Sequence, residues 1–217
     1  MVTIGFPVSA GSNGRIGSKS ENKKEFMMNK KNKANQTAQL SLLIATMVVI
    51  EVLSQTIFAA FVLPIKPTLT HIPVIIASIV YGPKIGAYLG GFMGIMSIIR
   101  NTVIYTVSSY LFSPFVEGGT MASAVIAIVP RILIGIFPYF IYKLLQNRLG
   151  LTLSGVLGAF TNTFFVLLGI YFLIPNFYTA GGKTLMATIF TTNSIAEMII
   201  AGLLTVSITP MLLRLKK

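Results

Sequence analysis

Four ionisable residues lie inside apolar stretches that are long enough to cross a lipid bilayer: Glu51, Arg100, Arg131 and Glu197. A charge at the membrane centre costs about 3 kcal/mol on insertion scales, so such residues normally face a bundle interior or a solute pathway. An Arg in that position can hold a carboxylate by charge-assisted hydrogen bonds. The alternative is a purely structural role, in which the two Arg and two Glu pair only to hold the helices together.

The position of each charge along its stretch separates the four. Glu51, Arg131 and Glu197 lie near the middle of their stretches, whereas Arg100 lies about 16 residues into its stretch, toward the outer face at about 1.5 Å per residue. We therefore expect Arg100 to be the charge that a Glu at mid-depth neutralises least. Either Arg could hold an anionic ligand, and the sequence does not choose between them.

Other polar residues could complete one interior site with these charges. Asn193 shares a helical face with Glu197, since residues four apart lie on the same face. Asn162 is the centre of a Thr-Asn-Thr run in another apolar stretch. Pro130 lacks an N–H group and leaves the carbonyl of Ile126 without its helical donor, directly before Arg131.

The remaining chemistry is limited. His71, at the start of an apolar stretch, is the only histidine, and the chain has no Cys and no Asp. A catalytic triad or a Cys-based metal site is therefore excluded. No nucleotide-binding loop is present either. We expect no enzyme activity, metal or cofactor. His71 is a candidate binding residue, and the alternative is that it caps the helix or tethers the loop.

Composition indicates a membrane protein of several spans. The chain has 217 residues, of which 54% are hydrophobic and only 10% charged, against about 25% charged in soluble domains. Dividing the apolar runs at Gly, Pro and polar clusters predicts an all-α membrane protein with six transmembrane helices, at about 38–63, 69–82, 84–107, 121–145, 151–175 and 184–213. The second run is too short to cross upright unless its flanks join it, and Gly82-Pro83 marks its end.

The basic residues predict the orientation. Seven precede the first stretch and three follow the last. By the positive-inside rule, both termini are predicted to be cytoplasmic. The expected location is the plasma membrane. Residues 1–36 are predicted to form a basic, flexible tail, with Met27-Met28 as a second candidate start that would make 1–26 an extension. Residues 37–217 are predicted to form a six-helix transmembrane, substrate-binding domain. The tail lacks interleaved aromatics, so no nucleic-acid partner is expected.

Small residues and loop aromatics have structural and functional alternatives. Gly86, Gly90 and Gly94 form a stripe that lets another helix approach closely. Ser41 and Ala45 repeat this small-residue spacing on the first stretch, for internal packing or for contact with a separate membrane subunit.

Aromatics beside the loops 108–120 and 176–183 indicate an interfacial belt, or a lid over an external pocket. Charges of the outer half sum to a small positive excess, which favours an anionic solute.

Four segments resemble the substrate-binding S components of energy-coupling factor (ECF) vitamin transporters, and the resemblance covers about 38–217. The most specific is the Gly82-Pro83-x-x-Gly86-Ala87 turn within 68–97. The His-Ile-Pro start at His71 and the Pro130-Arg131-Ile-Leu segment resemble the pantothenate-type component most. The others are Thr161-Asn162-Thr163 and Asn193-x-x-x-Glu197.

The resemblance implies a six-helix component that captures pantothenate near the outer face of the membrane. It implies a transmembrane T subunit, in contact with Ser41 and Ala45, and two cytosolic ATPases that bind ATP and Mg and drive its reorientation. Arg100 or Arg131 would hold the carboxylate, Asn162 and Asn193 the amide and hydroxyls. Glu51 or Glu197 would hold the other Arg or stay protonated. Alternatives are another vitamin or precursor, pyridoxine or hydroxymethylpyrimidine, or a stand-alone gradient-driven carrier.

Overall fold

The computed structural model describes residues 13–59, 69–106, 108–174, 184 and 194–215, and these contain no strand. Their main elements are seven α-helices and a short 3-10 turn at Ser109–Leu111. The helices are α1 (Asn13–Ala59), α2 (His71–Tyr81), α3 (Pro83–Val103), α4 (Met121–Ile134), α5 (Phe137–Leu144), α6 (Arg148–Leu173) and α7 (Ile195–Leu215). The all-helical prediction is confirmed for this part of the chain.

The chain divides into two compact units, residues 1–41 and 42–217. In the first unit, residues 13–41 are helical and belong to α1. The flexible tail predicted for residues 1–36 stays a prediction, and its residues 1–12 lie outside the described part of the chain. Lys, Glu, Gln, Met and Ala are all good helix formers, which is the physical reason that this polar stretch can be helical.

Among the described residues, four segments are long and apolar enough to cross a membrane. They are Thr37–Ile57, Met121–Leu144, Arg148–Leu173 and Ile195–Arg214. Helix α3 has 21 residues, or about 31 Å at 1.5 Å per residue, but does not reach the same apolarity. The chain therefore has the helices of a membrane protein, and six crossings with both termini cytoplasmic stay a prediction.

Helix α2 is a short core helix. It has 11 residues, and all of them except Tyr81 are buried. A helix that is apolar on every side is stable only when other helices surround it, and α2 packs against α3, α5, α6 and α7. Gly82, at φ 98°, ends it, and Pro83 starts α3 in the first helical turn. The predicted boundary at Gly82-Pro83 is confirmed.

The glycine stripe of α3 packs against the backbone of α4. A Cβ atom on Gly90 would collide with the carbonyl oxygen of Arg131, and one on Gly94 would lie 2.9 Å from the Cα of Ile128. Only glycine permits such an approach. The predicted packing role of the stripe is confirmed, and the contact places the backbone of Arg131 directly beside α3.

The segment predicted as one helix at 121–145 is two helices. Helix α4 continues through Pro130 to Ile134, and the chain breaks at Gly135-Ile136 before α5. Pro138 lies in the first turn of α5, where its missing N–H costs nothing. A Cβ on Gly135 would collide with the carbonyl of Gly86, so the break occurs where two backbones touch.

Replacing Gly90 by Ala should destabilise the protein, because the methyl group would push α3 away from α4. We expect a loss of about 1–3 kcal/mol, as for other overpacked sites. Gly91→Ala is the matched control, since its Cβ would meet nothing closer than Ile132 Cγ1 at 3.9 Å. Thermal unfolding of the detergent-purified chain measures both, and equal midpoints for the two variants would contradict the close contact.

Candidate functional site

One cavity brings three of the four intramembrane charges together. It has a volume of about 280 Å³, including the part open to solvent. Its walls come from α1, from the residue before α2, and from α3 and α4. The residues that line it are Glu51, Thr70, Met93, Met96, Ser97, Arg100 and Arg131.

Helix α3 supplies most of the cavity wall. Met93, Met96, Ser97 and Arg100 follow one another at intervals of three, one and three residues, which places them on one helical face. The sequence analysis named Arg100 but missed Met93, Met96 and Thr70 as lining residues. The three-and-four spacing back from Arg100 is the signal that would have found the two methionines.

Arg100 forms a salt bridge with Glu51. Its Nη1 lies 2.9 Å from Glu51 Oε1, and Gln55 Nε2 donates a second hydrogen bond of 3.1 Å to the same oxygen. The side chains are 31% and 15% exposed for Arg100 and Glu51. The expectation that Arg100 would be the charge least neutralised by Glu is wrong. Counting residues gives depth along each helix separately, whereas the contact depends on how α1 and α3 lie against each other.

Arg131 is buried, and no carboxylate in the described part of the chain forms a salt bridge with it. It is 6% exposed, and its Nη1 donates a 2.9 Å hydrogen bond to the carbonyl of Ile126. This is the carbonyl that Pro130 leaves without a helical donor. The guanidinium carbon lies 5.2 Å from the ring centre of Phe112, and Nε is buried with no hydrogen-bond partner among the described residues.

The electrostatics of the cavity favour an anion. Two cations and one anion line it, and Arg100 and Glu51 already compensate each other. Glu197 is 3% exposed and acts on Arg131 electrostatically, but it is not part of the lining. A positive cavity with low-dielectric walls concentrates anionic solutes.

The other predicted site residues lie elsewhere or outside the described residues. His71 and Asn162 are buried but do not line the cavity, and Asn193 is outside the described part of the chain. Ser41 and Ala45 are each exposed on α1. The binding roles of all five stay predictions.

Polar groups of α6 contact the segment that leads into α7. Ser194 Oγ donates a buried 2.8 Å hydrogen bond to Thr163 Oγ1. Thr161 Oγ1 instead bonds the carbonyl of Leu157 in its own helix, as a Thr in an apolar helix commonly does. Within the Thr-Asn-Thr run, both hydroxyls thus have structural partners, while Asn162 Oδ1 is buried without one among the described residues.

Comparison with known proteins gives one family and two relatives. Residues 35–209 match the family model of the ECF transporter substrate-specific component. The chain is 42% identical over 188 residues to the pantothenic acid transporter PanT of Lactococcus lactis subsp. cremoris, which covers 84% of this chain and 96% of that protein. It is 31% identical over 141 residues to the pantothenate transporter PanT of Leuconostoc mesenteroides subsp. mesenteroides, covering 61% and 60%.

The Glu51–Arg100 pair should show energetic coupling. Glu51→Gln or Arg100→Gln alone leaves a partly buried charge unpaired, so we expect each to cost roughly 1–3 kcal/mol, below the value for a fully buried pair because Arg100 is partly exposed. The double variant should cost less than the sum of the two. Unfolding midpoints of the four proteins test this, with exposed Glu117→Gln as the neutral control. Strictly additive losses would contradict the pair.

Proposed function

The chain belongs to the family of substrate-specific components of ECF transporters, and we propose that it binds pantothenate in the cavity beside Arg131. One observation carries the choice of site: Arg131 is a buried cation that lines the cavity and keeps an unpartnered Nε. The choice of ligand is supported by the two relatives, which are named as transporters of pantothenate or pantothenic acid.

Pantothenate carries the group that Arg131 can hold. At neutral pH it is an anion with a carboxylate at one end. Nη1 of Arg131 is engaged by the carbonyl of Ile126, while the Nε edge remains for a bidentate contact with two carboxylate oxygens. Arg100 is already paired with Glu51, so its contribution is to neutralise that carboxylate beside the site rather than to anchor the ligand.

The rest of the lining suits the rest of the molecule. Pantothenate has an amide, two hydroxyls and a pair of geminal methyl groups. Ser97 Oγ is buried without a hydrogen-bond partner among the described residues, and Thr70 supplies a second hydroxyl. Met93 and Met96 offer adaptable apolar surface for the methyl groups. Asn162, Asn193, His71 and Glu197 stay proposed as further ligand contacts.

The lining gives less support to an aromatic vitamin. Pyridoxine or hydroxymethylpyrimidine would be expected to stack on aromatic rings, yet the lining that the structure describes contains none. The buried cation has a natural counterpart in a carboxylate, which neither of these two ligands carries. Pantothenate is therefore the better supported ligand.

We also propose the transport context that the family implies. The chain would cross the plasma membrane six times with both termini cytoplasmic, and would work with a T subunit and two ATPases that hydrolyse ATP. Ala45, exposed on α1, and separately Ser41 remain the proposed contacts with the T subunit. The sequence has no nucleotide-binding motif of its own, which supports an energy source in partner subunits.

Removing the Arg131 charge should abolish recognition of the carboxylate. We expect Arg131→Gln to weaken pantothenate binding by about 100-fold, the value of a bidentate charge-assisted contact. Binding of pantothenol, which has an alcohol in place of the carboxylate, should hardly change. Isothermal titration of the detergent-purified chain measures both ligands.

Two further variants control this experiment. Exposed Arg148→Gln removes an equal charge outside the cavity and should leave both affinities unchanged. Arg100→Gln should lower pantothenate affinity less than Arg131→Gln does. A larger loss for Arg100→Gln would move the carboxylate to Arg100 and overturn the assignment.

Uptake should depend on ATP rather than on an ion gradient. In cells that express this chain, pantothenate uptake should require a co-expressed T subunit and ATPases, because the chain itself has no nucleotide site. A protonophore should leave the initial rate unchanged when cellular ATP is maintained. Uptake by the chain alone that collapses with the protonophore would favour the gradient-driven carrier instead.

A further inference from the structure

We propose that Phe112 and the main-chain carbonyl of Ile126 position the Arg131 guanidinium, so that its Nε edge stays available to an anion in the cavity. Phe112 and Ile126 do not line the cavity, so they act through Arg131 and not on the ligand. The consequence for pantothenate rests on the proposed function. The positioning of Arg131 itself does not.

The first element of the device is the proline in α4. In a regular helix the carbonyl of Ile126 accepts a hydrogen bond from the backbone N–H of residue 130. Pro130 has no N–H, and the vacant acceptor is taken by Arg131 Nη1 at 2.9 Å. Side chains on a helix point back toward its N-terminus, so the contact needs no unusual conformation. This hydrogen bond occupies Nη1 of the guanidinium. It leaves Nε, on the other edge, without a hydrogen-bond partner among the described residues.

The second element is the ring of Phe112. The guanidinium carbon lies 5.2 Å from the ring centre, inside the range of about 6 Å for a cation–π contact. Such a contact uses the face of the cation, whereas hydrogen bonds to a carboxylate use its edges. The ring can therefore hold the guanidinium in place without competing with an anionic ligand.

The ring is itself fixed by its neighbours. Phe112 packs against a buried cluster that includes Leu111, which is 0% exposed, and Ile126. Two hydrogen bonds secure the chain around it. Ser123 Oγ donates to the carbonyl of Tyr110 at 2.6 Å, and the hydroxyls of Ser113 and Thr102 lie 2.7 Å apart.

A guanidinium held in this way needs little reorganisation when an anion binds. Ordering a long side chain on binding weakens affinity, and a side chain that is already ordered avoids that loss. Groups that must be placed closely are usually supported by packing and by hydrogen bonds behind them. Phe112, Ile126 and Pro130 have this supporting relation to Arg131.

Substitution of the ring tests the aromatic contact. Phe112→Leu keeps an apolar side chain but removes the π face, so we expect pantothenate to bind about tenfold more weakly, as for a desolvated cation–π contact. Phe112→Tyr should restore binding to within about twofold. Pantothenol affinity should stay the same in both, and Phe115→Leu, an exposed residue of the same loop, is the matched control. Equal pantothenate affinity for the Leu and Tyr variants would overturn the role of the ring.

Substitution of the proline tests the carbonyl contact. Pro130→Ala supplies a backbone N–H that competes with Arg131 Nη1 for the Ile126 carbonyl. We expect a several-fold loss of pantothenate affinity, with an unfolding midpoint that is unchanged or raised. Pro210→Ala, at the proline inside α7, should leave affinity unchanged. Unaltered affinity in Pro130→Ala would overturn this part of the proposal.

A measurement without ligand separates the positioning from the choice of pantothenate. Phenylglyoxal modifies guanidinium groups, and peptide mass spectrometry locates the modified Arg131. We expect modification of Arg131 to be several-fold faster in Phe112→Leu than in the wild type or in Phe112→Tyr. If the wild-type chain binds no pantothenate, the proposed ligand fails, and the modification rates alone still decide the positioning. Equal rates in the three proteins would overturn it.

Discussion

The close contact between the backbones of α3 and α4 determines where the charges of this protein meet. Gly90 has no Cβ, so the carbonyl of Arg131 can lie directly against α3. The same helix carries Ser97 and Arg100 into the cavity about two and three turns farther on. Two cations that are 31 positions apart in sequence thereby line one small space, although neither is near the other along the chain.

The two arginines are stabilised in different ways, and this difference suggests different roles. Arg100 is neutralised by Glu51 from α1, with Gln55 bonded to the same carboxylate. Arg131 has a main-chain carbonyl and an aromatic ring as its contacts, which orient a guanidinium without a salt bridge, and Glu197 acts on it electrostatically from outside the lining. A buried cation without a bonded carboxylate is costly in the ligand-free protein. An anionic ligand that supplies the missing charge would recover that cost as affinity, which is the physical basis of the proposed pantothenate site.

The ion pair also gives α1 a polar connection to the cavity. Much of the Thr37–Ile57 segment is exposed, including Val49, Val52 and Leu53, whereas Met47 and Ser54 are buried beside the turn that carries Glu51. In a bilayer such a face meets lipid or another membrane protein. The Glu51–Arg100 contact therefore joins a helix with a largely exposed apolar surface to the cavity that we propose for the ligand.

Residue types and short-range periodicity were enough to predict the class, the family and much of the local packing of this protein. Composition indicated a membrane protein. The turn at Gly82-Pro83 and the segments around Arg131 and Asn162 indicated the ECF family, which the comparison confirms. The packing role of Gly90 and the vacant carbonyl of Ile126 also followed, because both depend on neighbours within one or two helical turns. Tertiary structure alone decided that Glu51 pairs with Arg100, that Thr70 and Met93 line the cavity, and that the helix predicted through 121–145 breaks at Gly135. These features depend on how separate helices lie against one another, and periodicity within one helix carries no information about that arrangement.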